Sequence, residues 1–386
     1  MTYDFIIYGS GLSSKLLALA LSKNNFKSLI IADQKHKTKK SNLVTFLSEG
    51  SLKYISNILE TEYIFNESEN IEKLYCEHQV SKKESILKFQ NQDRQSLGKI
   101  VPNTTIDEFF NKKILSHSEH IHMADHYKII PQLNNNRITI KDDSGQLKEA
   151  GFLFYSSSKQ DNDLLNNFEF VEKKLNQIAI SASVNVQRIH HNTAYQLFTK
   201  DGPLALLPVQ DDDASVVWSL DRDSSILKLS QNDLEIQLNR LFKNHVSELK
   251  IKNIQTQKLS FSYAKKMYQD KTILIGNIAH NIHPIAGQGF NLTIKDISKI
   301  VYYIKKYHSL GLDLNSNQAL ESFSNSRKFD NFAFSFGTLA MENIFSNENN
   351  IIRYFTSHGL NLVDRSKQLK KFLIEKATGK LHFKNY

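Results

Sequence analysis

The chain has 386 residues, of which 40% are hydrophobic, and its formal net charge is +9. This length suits two closely packed domains or one large domain with an insertion, and the apolar content excludes wholesale disorder. The positive charge is compatible with nucleic acid, an anionic membrane or an acidic ligand, but it identifies no fold. The single cysteine, Cys76, excludes an internal disulfide and a zinc site built from cysteines, and it fits a reducing compartment.

The sequence carries no membrane-spanning pattern, since no stretch approaches the roughly 20 apolar residues of a transmembrane helix. The N-terminus passes directly into a strand and lacks the basic region of a signal peptide. We therefore expect a cytoplasmic protein, and peripheral attachment to the inner membrane stays open. No motif that reads nucleic acid accompanies the charge, so nucleic acid is not an expected partner.

The first 33 residues predict a nucleotide-binding unit of strand, helix and strand. The turn at residues 9–14 has the sequence GSGLSS, which is a GxGxxG pattern with Ser14 in place of its last glycine. Gly9 permits the tight turn, Gly11 lets the backbone approach a pyrophosphate, and the helix N-terminus faces it. Asp33 ends the second strand, where an acid can accept a hydrogen bond from a ribose hydroxyl. An ordinary strand–helix turn is the alternative.

Strand and helix patterns then follow one another along the chain. Residues 97–115 predict a strand and a helix, with Thr104 and Asp107 as its capping pair. Between about residues 175 and 263, alternating apolar and polar positions predict antiparallel strands. The pattern of a buried strand returns at residues 271–277, and apolar residues at helical spacing follow it.

Strands of the nucleotide-binding type therefore occur at both ends of the chain, with a β-rich region between them. The sequence predicts an α/β fold: a discontinuous, nucleotide-binding, Rossmann-like domain, an inserted, mostly antiparallel β substrate domain, and a helical C-terminus. The predicted boundaries are 1–75, 96–174 and 268–335 for the first domain, 76–95 and 175–267 for the second, and 336–386 for the C-terminal region.

Residues 275–292 have the sequence IGNIAHNIHPIAGQGFNL, which is compatible with two kinds of site. One is a metal site, and the other is a backbone cradle, a glycine-rich loop whose amide groups bind a ligand. His280 and His283 form a His-x-x-His pair, but a metal site needs a third ligand and the motif contains no acid. Pro284 also disfavours helix at that point, so we predict no metal. Gly287 and Gly289 instead favour a loop whose amides face a planar or anionic ligand, beside the positive end of the next helix.

The same stretch resembles the second FAD motif of the class A flavin monooxygenases, G-D-A-A-H-x-x-H-P-x-x-G-Q-G-x-N. It is most similar to that of the ubiquinone-biosynthesis hydroxylases, which share the fold of para-hydroxybenzoate hydroxylase. Further segments follow the order of that family: 97–103, 190–209, 216–220, 326–346 and 359–379.

The resemblance implies a reaction and its cofactors. FAD is reduced by NADPH or NADH and takes up O₂ to form a C4a-hydroperoxide, which hydroxylates a polyprenylated phenol. Prenylated phenol is the implied substrate, and other ubiquinone-biosynthesis proteins are candidate partners. The implied cofactor-binding residues are Gly9, Gly11, Ser14, Asp33, Gly276, Asn277, Pro284, Gly287, Gln288, Gly289 and Asn291.

Within that set, the resemblance implies that Pro284, Gly287, Gln288 and Gly289 border the flavin ring, with Pro284 and Gln288 as its candidate catalytic environment. His280 and His283 are expected to hold the loop through hydrogen bonds, and direct proton transfer by either is the alternative.

Four segments depart from the family pattern. Besides Ser14, Asn277 replaces an acid that binds the ribityl chain, and losing that charge-assisted bond costs roughly 1–2 kcal/mol. Tyr155-Ser156-Ser157 replaces an A-D-G segment, and residues 42–46, from Asn42 to Phe46, lack the arginine and small residue of an R-x-x-A-L-S loop. Two hypotheses follow: an active but divergent hydroxylase, or an accessory protein that has lost strong FAD binding.

Three other features have open interpretations. The middle strands carry residues for either a core or an apolar pocket, which alternation does not decide: Tyr195, Phe198, Leu204, Leu206, Leu207 and Trp218. Residues 188–191, RIHH, form either a polar site for phenol activation or a solvated strand end. Residues 365–384 hold seven Lys or Arg against one acid, and suit a membrane surface, a partner protein or a solvated helix.

Overall fold

The computed structural model describes residues 3–32, 43–62, 64–78, 85–90, 96–124, 127–134, 137–142, 145–157, 165–187, 192–282, 289–313, 317–345 and 378. The strands in these ranges are β1 (Phe5–Tyr8), β2 (Ser28–Ile31), β3 (Val44–Ser48), β4 (Asn70–Ile71), β5 (Lys73–His78), β6 (Ser85–Gln90), β7 (Gly98–Pro102), β8 (Ile121–Ala124), β9 (Tyr127–Asn134), β10 (Arg137–Asp142), β11 (Leu147–Ala150), β12 (Phe152–Tyr155), β13 (Phe170–Gln187), β14 (Thr193–Thr199), β15 (Gly202–Gln210), β16 (Asp213–Asp221), β17 (Glu248–Ala264), β18 (Tyr268–Gln269), β19 (Thr272–Leu274) and β20 (His280–Asn281).

The α-helices are α1 (Leu12–Ser22), α2 (Glu49–Leu59), α3 (Asn103–Leu115), α4 (Gln231–Phe242), α5 (Gly289–Ser309) and α6 (Gln318–Phe345). Two short 3₁₀ turns lie at Ser225–Lys228 and Gly276–Ile278.

A six-stranded sheet with the order β18-β19-β12-β1-β2-β8 forms the centre of the first domain. All neighbours are parallel except β18, which pairs antiparallel with β19. The central strands β1 and β12 are apolar or aromatic along their whole length because both faces of the sheet are covered. Helices α1 and α5 contribute to the apolar core on one face, and the meander β9–β11 packs against the other.

Helix α3 begins two residues earlier than the predicted capping pair requires. Its N-cap is Pro102, and Thr104 and Asp107 both lie inside the helix, so that prediction is wrong. The carboxylate of Asp107 instead accepts from the ammonium of Lys15 on α1, 2.5 Å away. Lys15 is buried, so the acid serves a contact between two helices that no local capping pattern reveals.

An eight-stranded sheet with the order β20-β17-β13-β16-β15-β14-β5-β6 forms the second domain. Its neighbours are antiparallel except β14 and β5, which are parallel. One face packs under α4 and carries Tyr195, Leu204, Leu206 and Trp218 in a closed core. The opposite face carries Leu207, which packs against β3, β4 and β7, and Phe198 packs beside Cys76.

The buried thiol of Cys76 gives a simple test of this packing. Burial raises its pKa to about 12, so only roughly 10⁻⁴ of the thiol is ionised at pH 8. We expect a thiol-specific chromogenic reagent to label the native protein at least ~100-fold more slowly than the urea-unfolded protein. Equal labelling rates in the two states would contradict the burial of this side chain.

The long strands β13 and β17 cross from one domain to the other. They pair from Phe170 with Ala264 down to Gln187 with Glu248, with a bulge between Lys174 and Ile178. Elements β5, β13 and α6 continue across the predicted boundaries at 75/76, 174/175 and 335/336.

The α/β class, the discontinuous Rossmann-like domain and the inserted antiparallel sheet are confirmed. Strands of the six-stranded sheet come from residues 5–31, 121–155 and 268–274, with the second sheet between and around them. The basic segment at 365–384 lies outside the described residues. No helix within the described ranges is both long enough and apolar enough to cross a bilayer.

Candidate functional site

Three segments meet where neighbouring parallel strands end. Gly9 follows β1, Ser156 follows β12, and Gly276 follows β19 by two residues. Strand β12 pairs with both β1 and β19, so their carboxyl ends lie side by side. Ligands of open α/β sheets bind at this edge.

Contacts between these turns leave no room for side chains at two glycines. Gly9 has φ +112°, and a Cβ there would lie 3.0 Å from backbone atoms of Ser156 and Ser157. Gly276 has φ +84°, and a Cβ there would lie 2.9 Å from the hydroxyl of Ser13. Only glycine adopts such a backbone readily in so little space. The glycine turns of the two predicted FAD motifs therefore contact one another.

Open space lies in front of helix α1. Gly11 is its N-cap residue, has an ordinary φ of −74°, and is exposed. A Cβ at this position would meet nothing within 4 Å. The free N–H groups and the positive end of the helix face this space, which suits a diphosphate. The residues present fit the pyrophosphate of FAD.

Polar groups border the same edge. The side chains of Ser13 and Ser156 are half-buried there, and the Ser156 hydroxyl would lie 3.5 Å from a Cβ at Gly276. Asn277 is exposed, so its amide is free to accept a hydrogen bond from a ligand hydroxyl. Three of the four segments that depart from the family pattern thus meet at one place.

Ser14 occupies the position of the third glycine in the GxGxxG pattern. It is completely buried, and its hydroxyl makes no hydrogen bond with the described residues. An unpaired buried hydroxyl costs roughly 1–3 kcal/mol. The substitution therefore weakens helix–sheet packing without filling the open space at Gly11.

Asn291, a predicted cofactor-binding residue, is hydrogen-bonded to protein backbone. Its side-chain oxygen accepts from the N–H of Ser48 at 2.9 Å, and its amide donates to the carbonyl of Phe46 at 2.6 Å. The side chain is buried. It fixes the end of β3, the fourth altered segment, against the start of α5. Phe46 itself packs toward the eight-stranded sheet.

A buried polar network begins immediately before residues 283–288. Nε2 of His280 is hydrogen-bonded to a carboxylate oxygen of Asp296, 2.5 Å away. The other oxygen accepts from Nε of Arg327 at 2.7 Å and from the amide of Asn331 at 3.0 Å. All four side chains are almost fully buried. His280 thus makes a buried hydrogen bond beside this segment, and its predicted role in holding the loop stays a prediction.

Charge balance explains how an acid is tolerated in this interior position. Burial alone raises the pKa of Asp296, but the Arg327 guanidinium and then His280 outweigh it and hold the pKa at about 2. Neither Asp296 nor Arg327 was predicted from the sequence. The available signal was spacing, because Asp296 lies four residues from Leu292 and from Ile300 on the buried face of α5.

Several predicted site residues lie outside the described residues: Asp33, Asn42, the segment 188–191, His283, Pro284, Gly287 and Gln288. Their assignments stay predictions. Gly289 is described and is the first residue of α5. Within the described ranges, His, Cys, Asp and Glu side chains form no group of three or more suited to a metal ion.

Comparison with known proteins matches residues 165–309 to the FAD binding domain family. The chain is 28% identical to ubiquinone hydroxylase UbiL of Rhodospirillum rubrum over 53% of its own length and 48% of that protein. It is 22% identical to the mitochondrial ubiquinone biosynthesis monooxygenase COQ6 of Mus musculus, over 96% of this chain and 89% of that protein.

Among solved structures, p-nitrophenol 4-monooxygenase PnpA from Pseudomonas putida DLL-E4 superimposes with a TM-score of 0.79 at 12% identity. The match covers 98% of this chain and 99% of PnpA, and it shows a shared fold.

The match to an FAD binding domain, the paired glycine turns and these relatives support an FAD-dependent monooxygenase, and the fold is the one shared by class A members of that group. Within the class, its sequence is similar to the ubiquinone-biosynthesis hydroxylases. The Rhodospirillum rubrum match spans about half of that relative's length.

Restoring the acid at position 277 should strengthen the site. Because Asn277 is exposed at the edge of the cradle, Asn277→Asp is expected to raise FAD affinity about tenfold, through a charge-assisted hydrogen bond worth roughly 1–2 kcal/mol. Flavin fluorescence titration measures the change. Asn253→Asp, an exposed asparagine on β17, is the matched control, and an equal gain in both variants would contradict the assignment.

Proposed function

We propose that the protein uses FAD, NADH or NADPH, and O₂ to hydroxylate a polyprenylated phenol in ubiquinone biosynthesis. The observation that carries the proposal is the contact between the two glycine turns at Gly9 and Gly276, beside the open N-terminus of α1. Support also comes from relatives whose names state ubiquinone hydroxylation or ubiquinone biosynthesis.

The chain's own residues bind and orient the cofactor in this proposal. The backbone at Gly11 and the first turn of α1 hold the diphosphate. Asn277 and Ser156 accept hydrogen bonds from its sugar or ribityl hydroxyls. FAD, when bound, accepts a hydride from the pyridine nucleotide and activates O₂ for transfer to the phenol ring. The His280 network fixes the chain just before the flavin-facing loop.

One face of the eight-stranded sheet offers a binding surface for the phenol. It is the face opposite the α4 core, directed toward β3, β4 and β7. Four buried polar residues lie on it: Ser181, Gln196, Ser215 and Ser219. Buried hydroxyl and amide groups can form hydrogen bonds with the oxygen atoms of a ligand that binds against them. We assign the phenol oxygens to this polar face.

The test begins with the purified full-length chain. It is titrated with FAD, and the flavin absorbance band of the complex is recorded. NADH or NADPH oxidation is then followed with and without a short-tailed prenylphenol, and hydroxylated product is quantified by mass spectrometry. A protein that cannot be reconstituted with FAD would refute the proposal.

An accessory role is the second candidate, because three altered segments meet at the edge of the FAD-binding domain. Complementation of a quinone-deficient strain separates the two functions. In that assay, a folded Gly289→Trp variant that restores quinone as well as the wild type would favour the accessory role. Failure of that variant, with normal protein abundance, would favour catalysis.

A further inference from the structure

A cavity of about 510 Å³ opens at the bulge between β13 and β17. Its volume lies within the ~300–1,000 Å³ range of small-molecule sites. The lining residues are Lys174, Leu175, Asn176, Gln177, Ile178, Arg222, Lys258, Leu259 and Ser260. The polar face of the sheet and the glycine cradle contribute none of these residues, apart from the neighbouring Gln177.

The cavity has a strongly positive lining. Lys174, Arg222 and Lys258 are exposed cations, and no acid lines the cavity. Within the described ranges, none of the three makes an ion pair. Other exposed lysines on the same sheet do: Lys252 pairs with Asp213 at 2.5 Å. Three uncompensated cations around one cavity favour an anionic ligand.

The lining also has an apolar part, from Leu175, Ile178 and Leu259. A free inorganic anion makes no use of such a surface, whereas an anion attached to a flat apolar body does. Arginine and lysine together suit phosphate oxygens, the first through its planar fork and the second as a point charge. The chemistry fits the adenosine diphosphate part of a pyridine nucleotide.

The cavity is connected by hydrogen bonds to the strand that precedes the predicted flavin loop. Ser260 in its lining is hydrogen-bonded to Asn281 of β20, whose amide donates to the Ser260 carbonyl at 3.0 Å and to its hydroxyl at 2.9 Å. Asn281 lies two residues before the segment 283–288 of the predicted flavin loop. A ligand seated in this cavity is therefore anchored next to the start of that loop.

We infer that this cavity binds the adenosine diphosphate moiety of NADH or NADPH, and that Lys174, Arg222 and Lys258 hold its phosphates. This inference rests on the proposed function, in which a pyridine nucleotide supplies the hydride. The cradle at Gly11 takes the diphosphate of FAD, and the cationic cavity takes that of the reductant.

The experiment compares the full-length wild type with the triple variant Lys174→Gln, Arg222→Gln, Lys258→Gln. The matched control carries Lys228→Gln, Arg240→Gln and Lys243→Gln, three exposed cations outside the cavity. ADP is titrated calorimetrically with FAD in excess, so that the predicted cradle is saturated. We expect the cavity variant to bind ADP at least tenfold more weakly, and the control variant to match the wild type. Thermal unfolding verifies that both variants are folded.

A second measurement uses turnover. The KM for NADH or NADPH should rise at least tenfold in the cavity variant, with kcat at saturating nucleotide within about twofold of the wild type. Unchanged ADP affinity and an unchanged KM would overturn the inference while leaving the proposed function intact. Loss of FAD binding with ADP binding still dependent on the cavity would overturn the proposed function alone.

Anionic phospholipid vesicles form the third arm, because a lipid headgroup also carries phosphate. Vesicle binding that is lost in the cavity variant, together with no ADP binding by the wild type, would overturn the nucleotide assignment. ADP binding without vesicle binding would support it.

Discussion

FAD affinity is expected to fall at least tenfold, and up to about 100-fold, when Gly11 is replaced by valine. The side chain would project into the open space before α1, where a Cβ meets no protein atom within 4 Å. It would therefore displace the ligand rather than disturb the fold. A tenfold to 100-fold loss corresponds to roughly 1.4–2.7 kcal/mol of binding free energy. The measurement is a flavin fluorescence titration of the purified variant.

Stability provides the internal check on this prediction. Gly11 has an ordinary negative φ, so the valine introduces no left-handed strain, and the changed N-cap costs about 1 kcal/mol or less. Gly337→Val is the matched control, since that glycine on α6 also faces open space. A Gly11→Val protein that keeps wild-type FAD affinity would show that the ligand does not approach this turn.

Replacement of Arg327 by methionine is expected to destabilise the protein by about 3–5 kcal/mol. The substitution leaves the buried carboxylate of Asp296 without its guanidinium partner, and breaking one side of a buried ion pair has this magnitude. Urea unfolding measures the loss. Arg240→Met, at an exposed position on α4, is expected to change stability by less than ~0.5 kcal/mol.

A double substitution distinguishes an uncompensated charge from lost packing. If the unpaired carboxylate causes the loss, Asp296→Asn should recover part of the stability of the Arg327→Met protein. Additive losses in the two single variants would instead assign the effect to packing around Arg327.

The same network predicts the behaviour of the wild type in acid. The pKa of Asp296 is about 2 in the folded state and near 3.9 when unfolded, so folding favours its ionised form. Its contribution is fully present above about pH 4 and is lost as the pH falls through 2. In Arg327→Met the folded pKa rises toward or above the unfolded value because the guanidinium is absent, so the loss of stability between about pH 4 and pH 2 should shrink or reverse. Identical pH dependence in both proteins would contradict the pairing.

Local sequence patterns were sufficient to predict those elements whose conformation depends mainly on residues adjacent in the chain. The turn at Gly9 and Gly11, the second apolar strand and the alternating strands of the middle region were each predicted from adjacent residues. The spacing of apolar residues indicates which face of a single helix or strand is buried, and the buried faces of these elements agree with it. Whether Leu206 and Leu207 lie in a core or line a pocket could be decided only from the assembled sheet. Neighbouring residues of a strand face opposite sides of the sheet, and these two lie in different clusters.

Contacts between distant residues were not predictable in this way. Asp296 and Arg327 are 31 residues apart in sequence. Asn291 donates a hydrogen bond to the carbonyl of Phe46, which is 245 residues away. No local spacing specifies either pair, and the wrong capping assignment of Asp107 has the same origin in its contact with Lys15. Family resemblance supplied the cofactor, but it could not show that three of the altered segments meet at one edge of the sheet.

Strands β13 and β17 determine whether the chain can be cut into fragments that fold separately. Both pass through the junction between the two sheets, and they stay paired over almost their whole length. No cut in the backbone near residues 174 or 264 releases an intact module, since either cut severs a continuous ladder. Limited proteolysis should therefore leave the two sheets together, and gene fragments that end at the predicted boundaries should yield insoluble products. The inserted sheet and the FAD-binding domain therefore share two continuous strands and form one unit of folding.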